Sequence, residues 1–314
     1  IKVIEIRSHL RVAFLCLFYI LKVCLNPKLI FFNNQNENNK MKLKFYIPVI
    51  GLSVISATAH ACINTYAFEL GYGGLDQKTA QKQLAQGHLP KTKSVEDLND
   101  YGVLLIYAHQ YDQAIQIFKQ IEKSHPNLAK TAANLGTAYE LAGQSEKAKY
   151  WIEQGMQRDP NIHHGSEWIH VKILDAKIQQ QKDATWIQHH DVLGLDFGQA
   201  AEPKAKVKTV QFQKQHYDLD KILLHSQIQM DQRLRFVDRD PITAQIIFNM
   251  ANIEMLNYNL ADKTVDLLYR RAQDIGYLNP KLIESRLDYF QHSNWFRFKA
   301  FFVNAYQTFK NLIV

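Results

Sequence analysis

The sequence comes into register with itself when Gly102 is set on Gly136. The same shift sets Ala114 on Ala148 and Pro126 on Pro160. The positions between agree in kind: Tyr101 with Leu135, Leu105 with Tyr139, Phe118 with Ile152. A period of this length implies a supersecondary unit that cannot bury its apolar face alone and must stack on its own copy. Each unit reads as two helices. Ser94 is placed to cap the first, with Asp97 three residues on, and the helix runs from Asp97 to Ala108. A break at His109-Gln110 leads into Tyr111 to Ser124, which Pro126 closes because it cannot continue the helical hydrogen-bond ladder. The second unit runs from Leu128 to Ala142, turns at Gly143, and continues from Ser145 to Arg158 before Pro160. Small residues at the eighth place (Gly102, Gly136) and the twentieth (Ala114, Ala148) let the two helices of a hairpin approach closely. The aromatic or aliphatic residue four places later fills the space toward the next hairpin.

This pattern resembles the tetratricopeptide repeat over about 95–162, roughly a fifth of the chain, and departs from it at Ala132 and Gly155. The resemblance implies an all-α array of helical hairpins whose first helices line a concave groove for a partner's peptide or helix. In this sequence the lining would be Glu96, Asn99, Val103, Ile106 and Tyr107, then Lys130, Ala133, Thr137, Glu140 and Leu141, with Asn134 adjacent. The candidate binding residues are therefore Asn99, Val103, Tyr107, Lys130, Asn134, Thr137 and Glu140. Lys130 and Asn134 are the only residues that match the carboxylate clamp used by some relatives.

Beyond 162 the register fails, since the same shift puts His170 and Lys182 where Gly and Ala belong. Helical spacing persists in Trp168, Val171, Leu174 and Ile178, so Glu167 to Gln181 reads as a capping helix that ends the array near 190. Residues 191–216, with Gly194, Gly198, Pro203 and the lysines Lys204, Lys206, Lys208 and Lys214, read as a linker. From 217 to 314 helices return at about 218–236, 241–257, 260–274, 280–291 and 294–312. Val265, Tyr269 and Ala272 keep the spacing of a repeat's second helix, while Ala251 in the helix before is about two residues out of register, the mark of a degenerate repeat. In the last helix Trp295, Phe298, Phe302, Tyr306, Phe309 and Ile313 form one stripe, with Arg297, Lys299 and Lys310 its only charges. That stripe is expected to cover the end of the array, with a membrane surface as the alternative.

The amino-terminal part carries most of the net charge of +7: residues 1–61 hold eight of the 37 Lys and Arg and two of the 30 Asp and Glu. The remaining 29 bases and 28 acids nearly balance, which argues against a nucleic-acid partner. Met41 opens a complete secretory signal: Lys42 and Lys44, the apolar run Phe45 to Ile55, and Ala59-His60-Ala61 as the cleavage site. Residues 1–40 are then expected to be upstream sequence that is not translated, 41–61 a signal peptide, and 62–94 an amino-terminal segment. Of Cys16, Cys24 and Cys62, Cys62 alone would survive cleavage, so no internal disulfide is expected. Its place at the head of the mature chain makes acylation an alternative to a free periplasmic product. Membrane association is thus expected through acylated Cys62 or the carboxy-terminal helix, if at all.

The sequence contains no phosphate-cradling glycine loop, H-E-x-x-H helix, G-x-S-x-G elbow or kinase signature. One cluster has the right types for chemistry: His163, Glu167 and His170 stand at i, i+4 and i+7, the placement of a metal site on one helix face. Gly165 is expected to mark the start of that helix and leave His163 and His164 in the loop before it. His189-His190-Asp191 is a second imidazole pair. The resulting expectation is a non-enzymatic, exported scaffold of the bacterial envelope that binds another protein and needs no cofactor. The alternative is a metal-binding protein or enzyme working through His163, Glu167 and His170.

Overall fold

Helical hairpins follow from the repeat. The computed structural model describes residues 76–87, 94–237, 239–258 and 264–313, with side chains described as far as 306. The expectations for 1–40, the signal at 41–61 and Cys62 lie outside these residues, as do the side chains of Phe309, Lys310 and Ile313. Among the described residues there are twelve α-helices and one two-stranded antiparallel hairpin, so the chain is predominantly α.

Helix α1 spans Gln77–Ala85. The first hairpin is α2 (Val95–Tyr107) with α3 (Tyr111–Ser124), and the second is α4 (Ala129–Leu141) with α5 (Ser145–Arg158). Ser94 caps α2 by accepting from the Asp97 amide at 3.1 Å. The two hairpin turns are copies of each other. His109 and Gly143, one repeat apart, both take left-handed φ values of 61° and 77°. The next residue closes the turn in each case, Gln110 N–H on Leu105 C=O at 2.8 Å and Gln144 N–H on Tyr139 C=O at 2.9 Å. Gly143 meets this requirement without a Cβ, whereas His109 bears its strain.

The close approaches sit where the repeat puts them. A Cβ on Gly102 would lie 2.5 Å from the Phe118 ring, and one on Gly136 would lie 2.7 Å from Ile152. Ala114 and Ala148 are fully buried. Arg158 joins the hairpins from outside, its guanidinium forked onto Glu122 at 2.6 and 2.9 Å and bonded to Leu128 C=O at 3.1 Å.

Helix α6 (Glu167–Lys182) follows a short 3-10 turn at Ile162–Gly165. It is buried on two sides. Val171 and Leu174 join the hairpin core with Leu105 and Phe118, while Trp168, Ile169 and Ile173 join a second core with Ile222 and Ile246. Two apolar faces leave no clean stripe, which is why the register dissolves here.

The segment expected to be a linker is part of that second core. After α7 (Trp186–His189), Val192, Leu193, Leu195 and Phe197 are buried, and 209–218 folds into a hairpin of β1 (Thr209–Phe212) and β2 (Gln215–Asp218). The loop is tied down by two polar anchors. Asp191 accepts from the amides of Leu193 and Leu195 and from Asn249. Arg286, fully buried, donates to the carbonyls of Gly198 at 2.7 Å and Ala200 at 3.3 Å and to Asn252, and lies over the Phe248 ring. Glycine, proline and lysine content resembled a spacer, but these apolar residues and two long-range anchors order it.

The remaining helices are α8 (Leu219–Arg233), α9 (Pro241–Leu256), α10 (Thr264–Ile275), α11 (Pro280–His292) and α12 (Asn294–Ile313). Asp240 caps α9 by accepting from the amides of Ile242 and Thr243, with Pro241 at the first helical position. Val265, Tyr269 and Ala272 of α10 are all buried, as the repeat-like spacing requires.

Candidate functional site

Of the expected groove residues, Asn134, Thr137 and Glu140 line one cavity, and most of the set is buried within the chain. Asn99, Val103 and Tyr107 of α2 and Asn134 and Glu140 of α4 are buried, while Thr137 and Lys130 are half-exposed. Asn99 belongs to the hairpin-to-hairpin contact: its amide donates to Thr131 Oγ1 at 3.1 Å and to Val95 C=O at 3.0 Å. Tyr107 lies under Phe236, ring centroids 4.7 Å apart. Lys130 pairs with Asp100 at 3.7 Å. Most of the lining expected from the repeat is thus occupied by the chain's own residues. The carboxy-terminal end of α8 and the turn after it lie against α2 and α4, with Arg233 on Glu140 and Phe236 on Tyr107.

A cavity of about 40 Å³ is left between α4, α6 and α8, enough for a few waters. Its wall includes Asn134, Thr137, Glu140, Gln229 and Arg233, with Phe236 at one side. The His163–Glu167–His170 cluster lines the same space, so the two groups of residues singled out in sequence meet here.

Glu140 is the hub. It accepts from Arg233 Nη2 at 2.6 Å, Lys177 Nζ at 2.8 Å and His170 Nε2 at 2.6 Å. Burial works against its charge, but Arg233, Lys177 and His170 together hold its carboxyl well below the usual carboxylate range. Glu167 sits between two imidazoles, bonded to His163 Nδ1 and, at 3.2 Å, to His170 Nδ1. It too is fully buried and kept ionised by His163 and His170. Burial opposes the charge on His170, yet its two carboxylate partners raise its pKa. Arg233 continues the network, donating through Nε to Thr243 Oγ1 at 2.7 Å and facing Asp240 at 3.5 Å.

The backbone that places His163 is unusual. His163, His164 and Gly165 are consecutive left-handed residues at φ 48°, 57° and 74°, and Ser166 closes the turn by donating from Oγ to His163 C=O at 2.7 Å. The turn delivers the His163 ring to Glu167 instead of into solvent. Gly165 precedes the helix as expected, with His163 and His164 before it.

This arrangement suits ion pairing better than metal ligation. Both ring nitrogens of His170 are committed to carboxylates, so its imidazolium has no lone pair for an ion. Among the described residues no group of three His, Cys, Asp or Glu side chains is disposed to hold a metal. In the second imidazole pair His190 is committed locally, stacking on Trp186 and bonding its C=O at 2.9 Å, and Asp191 is a loop anchor.

Sequence reasoning missed Lys177, Gln229, Arg233 and Phe236. Arg233 lies 93 residues from Glu140, and nothing in the local pattern of α8 distinguishes it from a solvated arginine. A second buried histidine was missed as well. His225 accepts from Trp168 Nε1 at 2.8 Å, and burial pushes its pKa down to about 4.

No protein-family model matches the chain. Over 90 residues the chain is 32% identical to the RxLR effector protein SFI4 of Phytophthora infestans, a stretch covering 26% of this chain and 26% of that protein. The match thus spans about a quarter of the effector's own length.

Proposed function

We propose that the protein is a non-enzymatic, exported scaffold of the bacterial envelope, built on tetratricopeptide-like hairpins, that binds another protein at the concave face of α2 and α4. The observation that carries this reading is the pair of tight contacts repeated one period apart, Gly102 on Phe118 and Gly136 on Ile152. Such stacked hairpins present first helices side by side, a geometry suited to receiving a helix or extended peptide. The end of α8 and the turn after it are seated on that face, with Phe236 of the turn on Tyr107 as the aromatic anchor. The partner is received beside it, at the cavity wall that holds Thr137 and Asn134. Asn134 Nδ2 is buried without a hydrogen-bond partner among the described residues and is the donor for a partner's carbonyl oxygen. Export rests on the signal pattern at 41–61.

A photo-crosslinking amino acid at Thr137 tests this in the native cell, with the exposed Lys119 of α3 as control. The expected result is a discrete protein adduct from position 137 and none from 119, with a higher yield when Phe236→Ala uncovers Tyr107. Equal adducts at both positions, or none at 137, would refute the concave face as the binding surface.

A further inference from the structure

Among its described residues, α12 is buried at Phe296 and Ala300 and exposed at most of the others. Phe296 and Ala300 are the residues that enter the core, and Phe296 packs against Tyr258, Phe290 and Tyr289 at centroid distances of 5.2, 5.4 and 5.7 Å. The stripe expected to cover the end of the array faces the other way. Trp295 is 56% exposed, Phe298 53%, Phe301 64%, Phe302 38% and Tyr306 63%. These rings form a continuous patch: Trp295 stacks on Phe298 at 5.6 Å, Phe298 meets Phe302 at 4.7 Å and Phe301 meets Phe302 at 5.5 Å. A contiguous aromatic patch of this kind marks an interaction surface rather than ordinary surface scatter.

The charged residues of the helix itself are of one sign. Residues 289–313 contain no Asp or Glu, and the described cations of the helix are Arg297 and Lys299. Lys299 is paired with Glu202, whereas Arg297 donates to a neutral carbonyl, that of Gln291, and keeps its positive charge. The nearest acid in sequence, Asp288, is occupied by His292 at 3.0 Å. No helix among the described residues is long and apolar enough to cross a membrane.

We propose that the exposed aromatic face of α12 docks the protein onto the surface of an anionic lipid bilayer. The helix lies in the interface plane, with Phe298, Phe301 and Phe302 in the acyl boundary and Trp295 and Tyr306 at headgroup level, where their amphipathic rings are favoured. Arg297 meets lipid phosphate. A second copy of the chain is a poorer occupant. A two-fold interface must be self-complementary, and α12 carries no acid of its own to answer the partner's Arg297, the nearby Glu202 being engaged by Lys299. The proposal goes beyond the scaffold reading and shares no residue with the concave face.

The test uses the chain and its variants side by side, so that any contribution of residues 1–61 is common to both. Vesicles of phosphatidylcholine doped with phosphatidylglycerol should bind the protein, more weakly as salt rises, and pure phosphatidylcholine vesicles should bind it less. Phe298→Glu with Phe301→Glu, both exposed, should weaken binding at least about tenfold without loss of helical circular dichroism. Lipids brominated on the acyl chains should quench Trp295 emission, and Trp295→Phe should remove the quenched component. Unchanged affinity of the double variant, or unchanged quenching with Trp295→Phe, would overturn the proposal. So would a stable dimer that the double variant dissociates, since the face would then belong to a second copy.

Discussion

The two hairpins and the carboxy-terminal helices bury comparable kinds of residue by opposite means. In α3 and α5, four of fourteen residues in each are buried, at the spacing of one helical face. In α9, twelve of sixteen are buried, so the helix has no solvent face of any width. The hairpins are held by small-on-large contacts repeated at a fixed interval. The carboxy-terminal region is held by single, unrepeated polar anchors: Arg286 on the 197–200 loop, Asp191 on its own amides, and His225 on Trp168. A repeated interface needs only a neighbour like itself, whereas a helix buried all round needs partners from every part of the chain.

The seam between the two regions should be the most sensitive place. Arg233→Met removes the cation that joins Glu140 to Thr243 and leaves that carboxylate buried with two partners instead of three. Breaking a buried pair this way costs about 3–5 kcal/mol. Urea unfolding should show the loss, and a change below about 1 kcal/mol would mean that the network contributes little to joining the regions.

Within the hairpins the expected effect is smaller. Gly136→Val pushes a side chain into Ile152, and Ala148→Leu overfills a fully buried position. Each should destabilise by about 1–3 kcal/mol. Hydrogen exchange should rise first in α4 and α5 and much less in α9, and equal acceleration in both regions would show that they unfold as one unit.

The smallest effect is a pH dependence that separates the two sets of histidines. His170 has a raised pKa, so its contribution is complete below its ordinary value of 6.5 and is lost as pH rises through the folded value. Glu140 and Glu167 are depressed from 4.5, so their contribution is present above 4.5 and lost as pH falls further. His225 has the opposite sign to His170. With a folded pKa of about 4 against 6.5, its contribution is present above 6.5 and falls away as pH drops toward 4. Between pH 6.5 and 5 the slope belongs to His225, at most about 1.4 kcal/mol per pH unit. Melting temperature should fall across that window in the parent and stay flatter in His225→Gln, and parallel curves would refute the assignment.

Much of the local structure was legible. Tyr111–Ser124 and Ser145–Arg158 follow from the repeat and its prolines without adjustment, and α9 and α11 begin directly after their capping residues Asp240 and Asn279. The turn at His163–Gly165 was legible too, because glycine marked it. The site was legible only as two unrelated groups. Glu140 was placed by repeat position and His163–His170 by helical spacing, but their meeting depends on how far α6 advances past α4. The linker reading failed because composition reports flexibility in the unfolded chain, not burial in the folded one: Val192, Leu193, Leu195 and Phe197 are spaced by glycine and acid yet pack into the core. The stripe on α12 was real, but a stripe does not state which way it faces. Phe296 and Ala300, two residues off it, are the ones that pack.

The sequence by itself determined the helices, their ends, and the two interfaces that recur with the repeat, because capping, helix termination and small-on-large packing act between residues close along the chain. Tertiary structure alone decided what packs on Tyr107, which charges share Glu140, and which side of α12 meets solvent. Those outcomes join residues such as Glu140 and Arg233, 93 positions apart. No local pattern encodes them, because the free energy of each depends on desolvating both partners at once, and that happens only when the distant segments have already come together.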